Sequence, residues 1–251
     1  IMSLSLGLGL ALTRNKGVGW SPTRLGASLL GWWDASRADK LTLSGSSVTT
    51  WTDIVGNYAA TQAVGGSKPL YSVSSFNGGP GITFDGADDE LTLGSVPWPA
   101  TSFEVWALLK QDALLADHTT RVLFGWGNGT SATSVRLERV VSGTSQIQFR
   151  VGNGTTGQGA GETTTSMIGY HVARGVSSGT QIRAYVDGIV GADVACVPSI
   201  TGTRTRIGGN NGSSAALFWQ GQIAAVFVTA PLSAEQAAQF LTYLKARGGL
   251  T

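Results

Sequence analysis

Asx–Gly pairs punctuate this chain at Asp85-Gly86, Asn128-Gly129, Asn153-Gly154, Asp187-Gly188 and Asn211-Gly212. Asn and Asp tolerate the left-handed backbone that a two-residue hairpin needs, and Gly adopts it freely. The segments between these turns are short and apolar: Gly81–Phe84, Glu90–Leu93, Phe103–Leu109, Arg121–Trp126, Val135–Val140, Ile147–Val151, Met167–Arg174, Gln181–Val186, Arg204–Ile207 and Gln222–Val228. Upstream, Leu29–Trp33 reads as a strand and Thr42–Trp51 as a hairpin with Gly45 at its turn. Many short strands at such spacing predict an all-β sandwich of two sheets in a single domain. Glycine supplies 36 of the 251 residues, roughly twice the ~7% norm. Charged residues make up 13%, about half the usual share, which excludes a helical bundle or coiled coil.

One helix is legible. Ser233-Ala-Glu-Gln236 fits a capping box, and Ala237, Phe240, Leu241 and Leu244 then share one face, which predicts a helix over 233–247 with Gly248 at C′. At the other end, Leu4, Leu6, Leu8, Leu10 and Leu12 alternate with Ser3, Ser5, Gly7, Gly9 and Ala11, a period-two strand with one greasy face. Such a strand must add to a sheet, either the domain's own or a partner's. Residues 1–24 are therefore expected to be an extended arm and linker, and 25–251 the folded domain.

The net charge of +2 with scattered Lys and Arg gives no footprint for nucleic acid. No apolar run approaches the ~18 residues of a membrane span. The single cysteine, Cys196, excludes an intramolecular disulfide and is expected to be a buried, inert thiol.

In their order and spacing, Trp32-Trp33-Asp34-Ala35-Ser36, Val48-Thr-Thr-Trp-Thr-Asp53, Ile82-Thr-Phe-Asp-Gly86, Tyr185-Val-Asp-Gly188, Ile207-Gly-Gly209 and Gly221-Gln-Ile-Ala-Ala-Val-Phe-Val228 resemble the concanavalin A-like jelly roll, in its laminin-G-like branch of bacterial and phage proteins. The resemblance runs from about Leu30 to Leu244. It implies a jelly-roll sandwich of two antiparallel sheets and a place among the modules of tailed-phage structural proteins. The arm would then anchor the chain to other virion proteins, in a homo-oligomer. The alternative is a free carbohydrate-binding or adhesin module at a bacterial surface.

Related glycosidases carry Glu-x-Asp-x-Glu on one strand face, and none of the five glutamates here belongs to such a motif. Asp88-Asp89-Glu90 is the acidic cluster, and consecutive strand positions would point to opposite faces. His118 and His171 lack a nucleophile elbow or metal spacing. An enzyme is not expected. Calcium, which related lectins and laminin-G domains often hold at the sandwich rim, has Asp85, Asp88 and Asp89 as candidate ligands. Sugar recognition stacks a C–H face on an aromatic ring and bridges hydroxyls with amides. The candidates for it are Trp126 and Asn128 in Gly125-Trp-Gly-Asn-Gly129, Trp98 between two prolines, and Asn210 and Asn211 in the Gly208–Gly212 loop.

Overall fold

The computed structural model describes residues 19–111, 120–142, 144–163, 168–202, 204–210 and 217–250. The arm residues Leu4, Leu6, Leu8, Leu10 and Leu12, together with Asn211 and His118, lie outside the described residues. The first strands are β1 (Leu29–Asp34), β2 (Leu41–Ser44), β3 (Ser47–Thr52), β4 (Ala59–Thr61), β5 (Leu70–Phe76), β6 (Gly79–Asp85) and β7 (Leu91–Leu93). Then come β8 (Ser102–Gln111), β9 (Arg121–Gly127), β10 (Ser134–Ser142), β11 (Thr144–Gly152), β12 (Gly157–Thr163) and β13 (Gly169–Ser178). Last are β14 (Gln181–Val186), β15 (Ile189–Val190), β16 (Val194–Ala195), β17 (Thr205–Ile207), β18 (Gln220–Thr229) and the helix α1 (Ala234–Gly248).

Antiparallel pairing arranges these strands in two layers. The first runs β5–β6–β18–β8–β13–β14–β16, with β1 beside the second half of β18. The second runs β2–β3–β4–β7–β17–β9–β10–β11–β12. Among the described strands, the Ser47–Leu70 pair joins them. Between the layers Phe103 meets Trp126 at 5.3 Å and Phe149 at 6.1 Å, and Trp33, Trp51 and Phe84 fill the same core. A Cβ at Gly175 would collide with the Phe149 ring, so the two layers approach closest where β13 carries no side chain.

The first sheet is buried on both faces. Its central strands therefore read as continuous apolar runs, Ile223–Val228 and Val105–Leu109, rather than alternating ones. Its outer face carries a register row, Trp32–Phe227–Trp106–Arg174–Tyr185, from β1 to β14. Helix α1 lies over this row, with the Phe240 ring 4.8 Å from both Trp106 and Phe227. The capping box forms as expected, but Gly248 is the last helical residue and Gly249, at φ 67°, takes the left-handed cap. Arg247 does more than face the helix dipole, since it donates to the buried Asp34 at 2.6 Å. The packed domain begins before Leu25: Trp20 stacks 5.5 Å from Phe240 and Tyr243 and donates to Gln239. A further Asx–Gly turn, Asn77-Gly78, with φ 48° and 78°, closes the β5–β6 hairpin. Among the described residues no helix is long and apolar enough to cross a membrane.

Candidate functional site

Strand β6 ends at Asp85, and the chain turns through Gly86–Glu90 before β7. Asp88, Asp89 and Glu90 thus sit in a loop, where strand alternation does not separate them. Asp85, Asp88 and Asp89 each turn a carboxylate oxygen to a common point, all within 4.8 Å of one another. Asp85 accepts from the backbone of Ala87 at 2.8 Å, Asp89 accepts from the Asp85 amide at 2.9 Å, and Ser67 Oγ donates to Asp88 at 2.8 Å. Burial, reinforced by the charges of Asp85 and Asp88, pushes the Asp89 carboxyl up to about 6. Three hard oxygen ligands at one point suit a calcium-type cation, which would relieve that repulsion.

The same loop leads to a second group. Glu90 Oε2 accepts from Arg206 Nη1 at 2.8 Å, and Arg206 Nη1 also donates to the Asn210 carbonyl at 2.9 Å. Burial raises the Glu90 carboxyl, and the Arg206 charge opposes the rise. The Asn210 Oδ1 and Arg206 Nε atoms are enclosed with no hydrogen-bond partner among the described residues. The half-buried Phe218 ring lies beside Glu90: at Gly209 a Cβ would stand 3.5 Å from that ring and 2.9 Å from the Glu90 carboxylate. Leu217, at φ 62°, adopts a backbone unusual for a branched residue, and thereby sets the direction of Phe218. Arg121 Nη1 donates to Gly86 O at 2.6 Å and Phe218 O at 3.3 Å, tying the aspartate loop to the ring. Carboxylate, guanidinium, amide and aromatic ring therefore meet at one rim. Of this group, Asn210 is among the sugar-binding candidates read from the sequence. Phe218, Arg206 and Glu90 carry no local signal, because 116 residues of chain separate the ion-paired partners.

The tryptophan candidates fall elsewhere. Trp126 is 4% exposed and Trp98 8%. On β9 the glycines Gly125 and Gly127 take the outer face, so alternation turns Trp126 inward onto Phe103. Trp98 packs against Trp33 and Tyr58 and donates to Thr205 Oγ1 at 3.2 Å. Both rings are core and offer no face to a sugar. The Asn128 side chain serves its own loop, accepting from Thr130 and Thr133 and donating to Thr201. His171 pairs with Asp187 at 2.7 Å, and its enclosed Nε2 has no partner, serine or other, among the described residues.

A cavity of about 480 Å³ lies between α1 and the first sheet, lined by Glu104, Trp106, Arg174 and Tyr185 among others. Its acidic group is fully engaged: Glu104 accepts from Trp106 Nε1 (2.9 Å), Arg174 Nε (3.0 Å), Arg174 Nη2 (2.9 Å) and the Leu232 amide (3.0 Å). Arg174 is clamped between the Trp106 and Tyr185 rings, 4.5 and 4.6 Å from their centres. This carboxylate holds the fold and has no capacity left for acid–base work.

Two antiparallel layers capped by a terminal helix define a jelly-roll β-sandwich. Residues 84–238, more than half of the sequence, match the concanavalin A-like lectin/glucanases superfamily in its laminin-G-like form. The chain belongs to that superfamily. None of the curated proteins matches it. Among solved structures it is similar to domain 4 of an extracellular arabinanase from Geobacillus stearothermophilus, solved with arabinotriose, at 12% identity and TM-score 0.57, covering 86% of this chain and 98% of that one. A Trypanosoma rangeli sialidase gives 16% identity and TM-score 0.57, covering 88% of this chain and 33% of the sialidase. The enzymatically active domain of tailspike protein 2 of bacteriophage CBA120 gives 16% identity and TM-score 0.53, covering 70% and 29%. The chain thus spans about a third of the latter two proteins. At such identities the likeness is one of fold, and this fold is shared by enzymes and non-enzymes.

Proposed function

We propose that this protein is a non-enzymatic attachment component of a tailed-phage virion that binds host-surface carbohydrate at the Glu90–Arg206–Asn210–Phe218 rim. The observation that carries the reading is the half-buried Phe218 ring beside an ion pair and an enclosed amide oxygen that has no partner among the described residues. A sugar stacks on the ring and supplies hydroxyls to the polar atoms. Calcium at Asp85, Asp88 and Asp89 stiffens the adjoining loop. The leucines of residues 4–12 anchor the chain to a virion partner, and the sandwich faces outward.

The non-enzymatic reading is supported by the state of the carboxylates. Glycoside hydrolysis needs two carboxyl groups ~5–9.5 Å apart. Glu90 is tied to Arg206, Glu138 to Arg150, Glu104 is saturated, and the Asp85, Asp88 and Asp89 carboxylates, within 4.8 Å of one another, are taken up by the cation of this reading. Glu90 and Glu138 are also three strand intervals apart, about 14 Å along the sheet. One finding favours the second reading, a carbohydrate-binding module of a bacterial extracellular protein: the end-to-end match with the arabinanase domain solved with arabinotriose.

The test is titration of the purified protein with arabinan and bacterial surface polysaccharides, in calcium and in chelator. Saturable binding is expected, weakened about five- to tenfold by Phe218→Ala. A folded protein that binds none of them, or whose affinity ignores Phe218, sinks the proposal.

A further inference from the structure

The second sheet turns its outer face away from both the core and α1. One register row crosses that face without a break: Thr61, Thr92, Arg206, Gly125, Arg136, Arg150 and Gly159, from β4 to β12. The adjoining row, Ile207–Phe124–Leu137–Phe149–Ala160, is buried in the core, which fixes the arginines on the outer side. With strands ~4.8 Å apart, Arg206 and Arg136 stand about 10 Å from one another and Arg136 and Arg150 about 5 Å. Three guanidiniums thus form a line perpendicular to the strands, beginning at the Phe218 rim.

Their charges are unequally matched. Arg206 has Glu90 at 2.8 Å, and Arg150 has Glu138 at 3.0 Å. Arg136, lying between them, donates Nη2 to the Gly129 carbonyl at 3.1 Å, while its Nε is enclosed and has no partner among the described residues. Glu138 is already hydrogen-bonded to Arg150, so two guanidiniums share one carboxylate here. Burial depresses the Arg136 pKa, and the charge of Arg150 adds to the effect against the pull of Glu138. A half-buried cation without its own counterion is unfavourable, and an arriving anion removes the penalty. Toward β12 the face is smooth. Its outward positions there are Gly157, Gly159 and Gly161, and Cβ atoms at Gly159 and Gly161 would stand 2.6 and 2.5 Å from the side-chain amides of Gln148 and Gln146, which lie across the bare strand.

We infer that this row is the track of an acidic polysaccharide, laid across the strands from the Phe218 rim toward β12, with a carboxylate of the sugar chain seated on Arg136. The inference rests on the glycan-binding reading above and narrows it to polymers carrying acidic sugars. The Gln148 amide, in a side chain that lies over the glycine strand, meets their hydroxyls.

The experiment is calorimetric titration of the full chain with oligogalacturonate, with the same oligomer methyl-esterified, and with a single-stranded DNA oligonucleotide. The acid form is expected to bind at least about tenfold more tightly than the ester, with an advantage that shrinks as salt is raised. Arg136→Gln should abolish the preference and Arg136→Lys retain part of it, while Arg183→Gln, on the opposite face of the sandwich, changes nothing. The comparison of acid with ester on the unaltered protein stands even if an Arg136 variant fails to fold. Equal affinity for acid and ester overturns the inference and leaves the glycan reading intact. Tighter binding of DNA overturns it in favour of a polyphosphate ligand. Binding of neutral polysaccharides alone overturns it too, whereas binding of no glycan at all removes the parent reading with it.

Discussion

Glu104→Gln should be among the most damaging single-atom changes in this protein, and it tests whether the cavity carboxylate is structural. Glu104 is 1% exposed and accepts four hydrogen bonds, two on each oxygen. An amide keeps the shape but turns one oxygen into a donor that faces two donors, and it strips Arg174 of its counterion. Removing one partner of a buried pair costs about 3–5 kcal/mol. For a chain of this size each kcal/mol moves the melting temperature by ~2–4 °C, so the midpoint should fall by roughly 6–20 °C. Thermal and urea denaturation of Glu104→Gln, Arg174→Met and the double variant would measure both the loss and the coupling. The double variant should lose less than the sum of the singles by at least ~1 kcal/mol, since each single strands the other group. A drop below about 1 kcal/mol for Glu104→Gln, or strict additivity, would refute the reasoning. Glu104 would then be free for another task.

Two further outcomes follow from the rim and the core. If the Asp85–Asp88–Asp89 loop binds calcium with a dissociation constant of ~0.1–1 mM, as extracellular modules do, ~10 mM calcium adds about 1.4–2.7 kcal/mol. The melting temperature should therefore rise by ~3–10 °C over chelator, and Asp88→Asn should cancel the rise; a calcium-insensitive midpoint rules the site out. Burial raises the Cys196 thiol above its ordinary 9.0. Its contribution to stability is then complete below that value and lost as pH climbs through the higher folded value. At pH 8 the native thiol should resist a disulfide reagent until the protein is unfolded with denaturant; rapid native labelling would contradict the buried placement.

The sequence alone determined what local chemistry dictates. Four of the Asx–Gly pairs lie at turns because Gly86, Gly129, Gly154 and Gly188 enter left-handed backbone freely, and the apolar runs between them made strands. The Ser233–Gln236 capping box placed the helix to within a residue, because a cap is a contact among neighbours. Strand β12 escaped notice, since Gly157, Gly159 and Gly161 leave alternation nothing to display, and it is a strand through its pairing with β11. Alternation also leaves open which side meets the core. Trp126 looked like a sugar platform between glycines, and only the opposing layer, with Phe103, decided that it faces inward. The same holds for function. Asp85, Asp88 and Asp89 converge as neighbours can, but Glu90 finds Arg206 and Phe218 only once β7, β17 and β18 are in place. The charge left unmatched at Arg136 is likewise a property of register. Cross-strand distance, which sequence spacing does not encode, decides which guanidiniums must share a carboxylate.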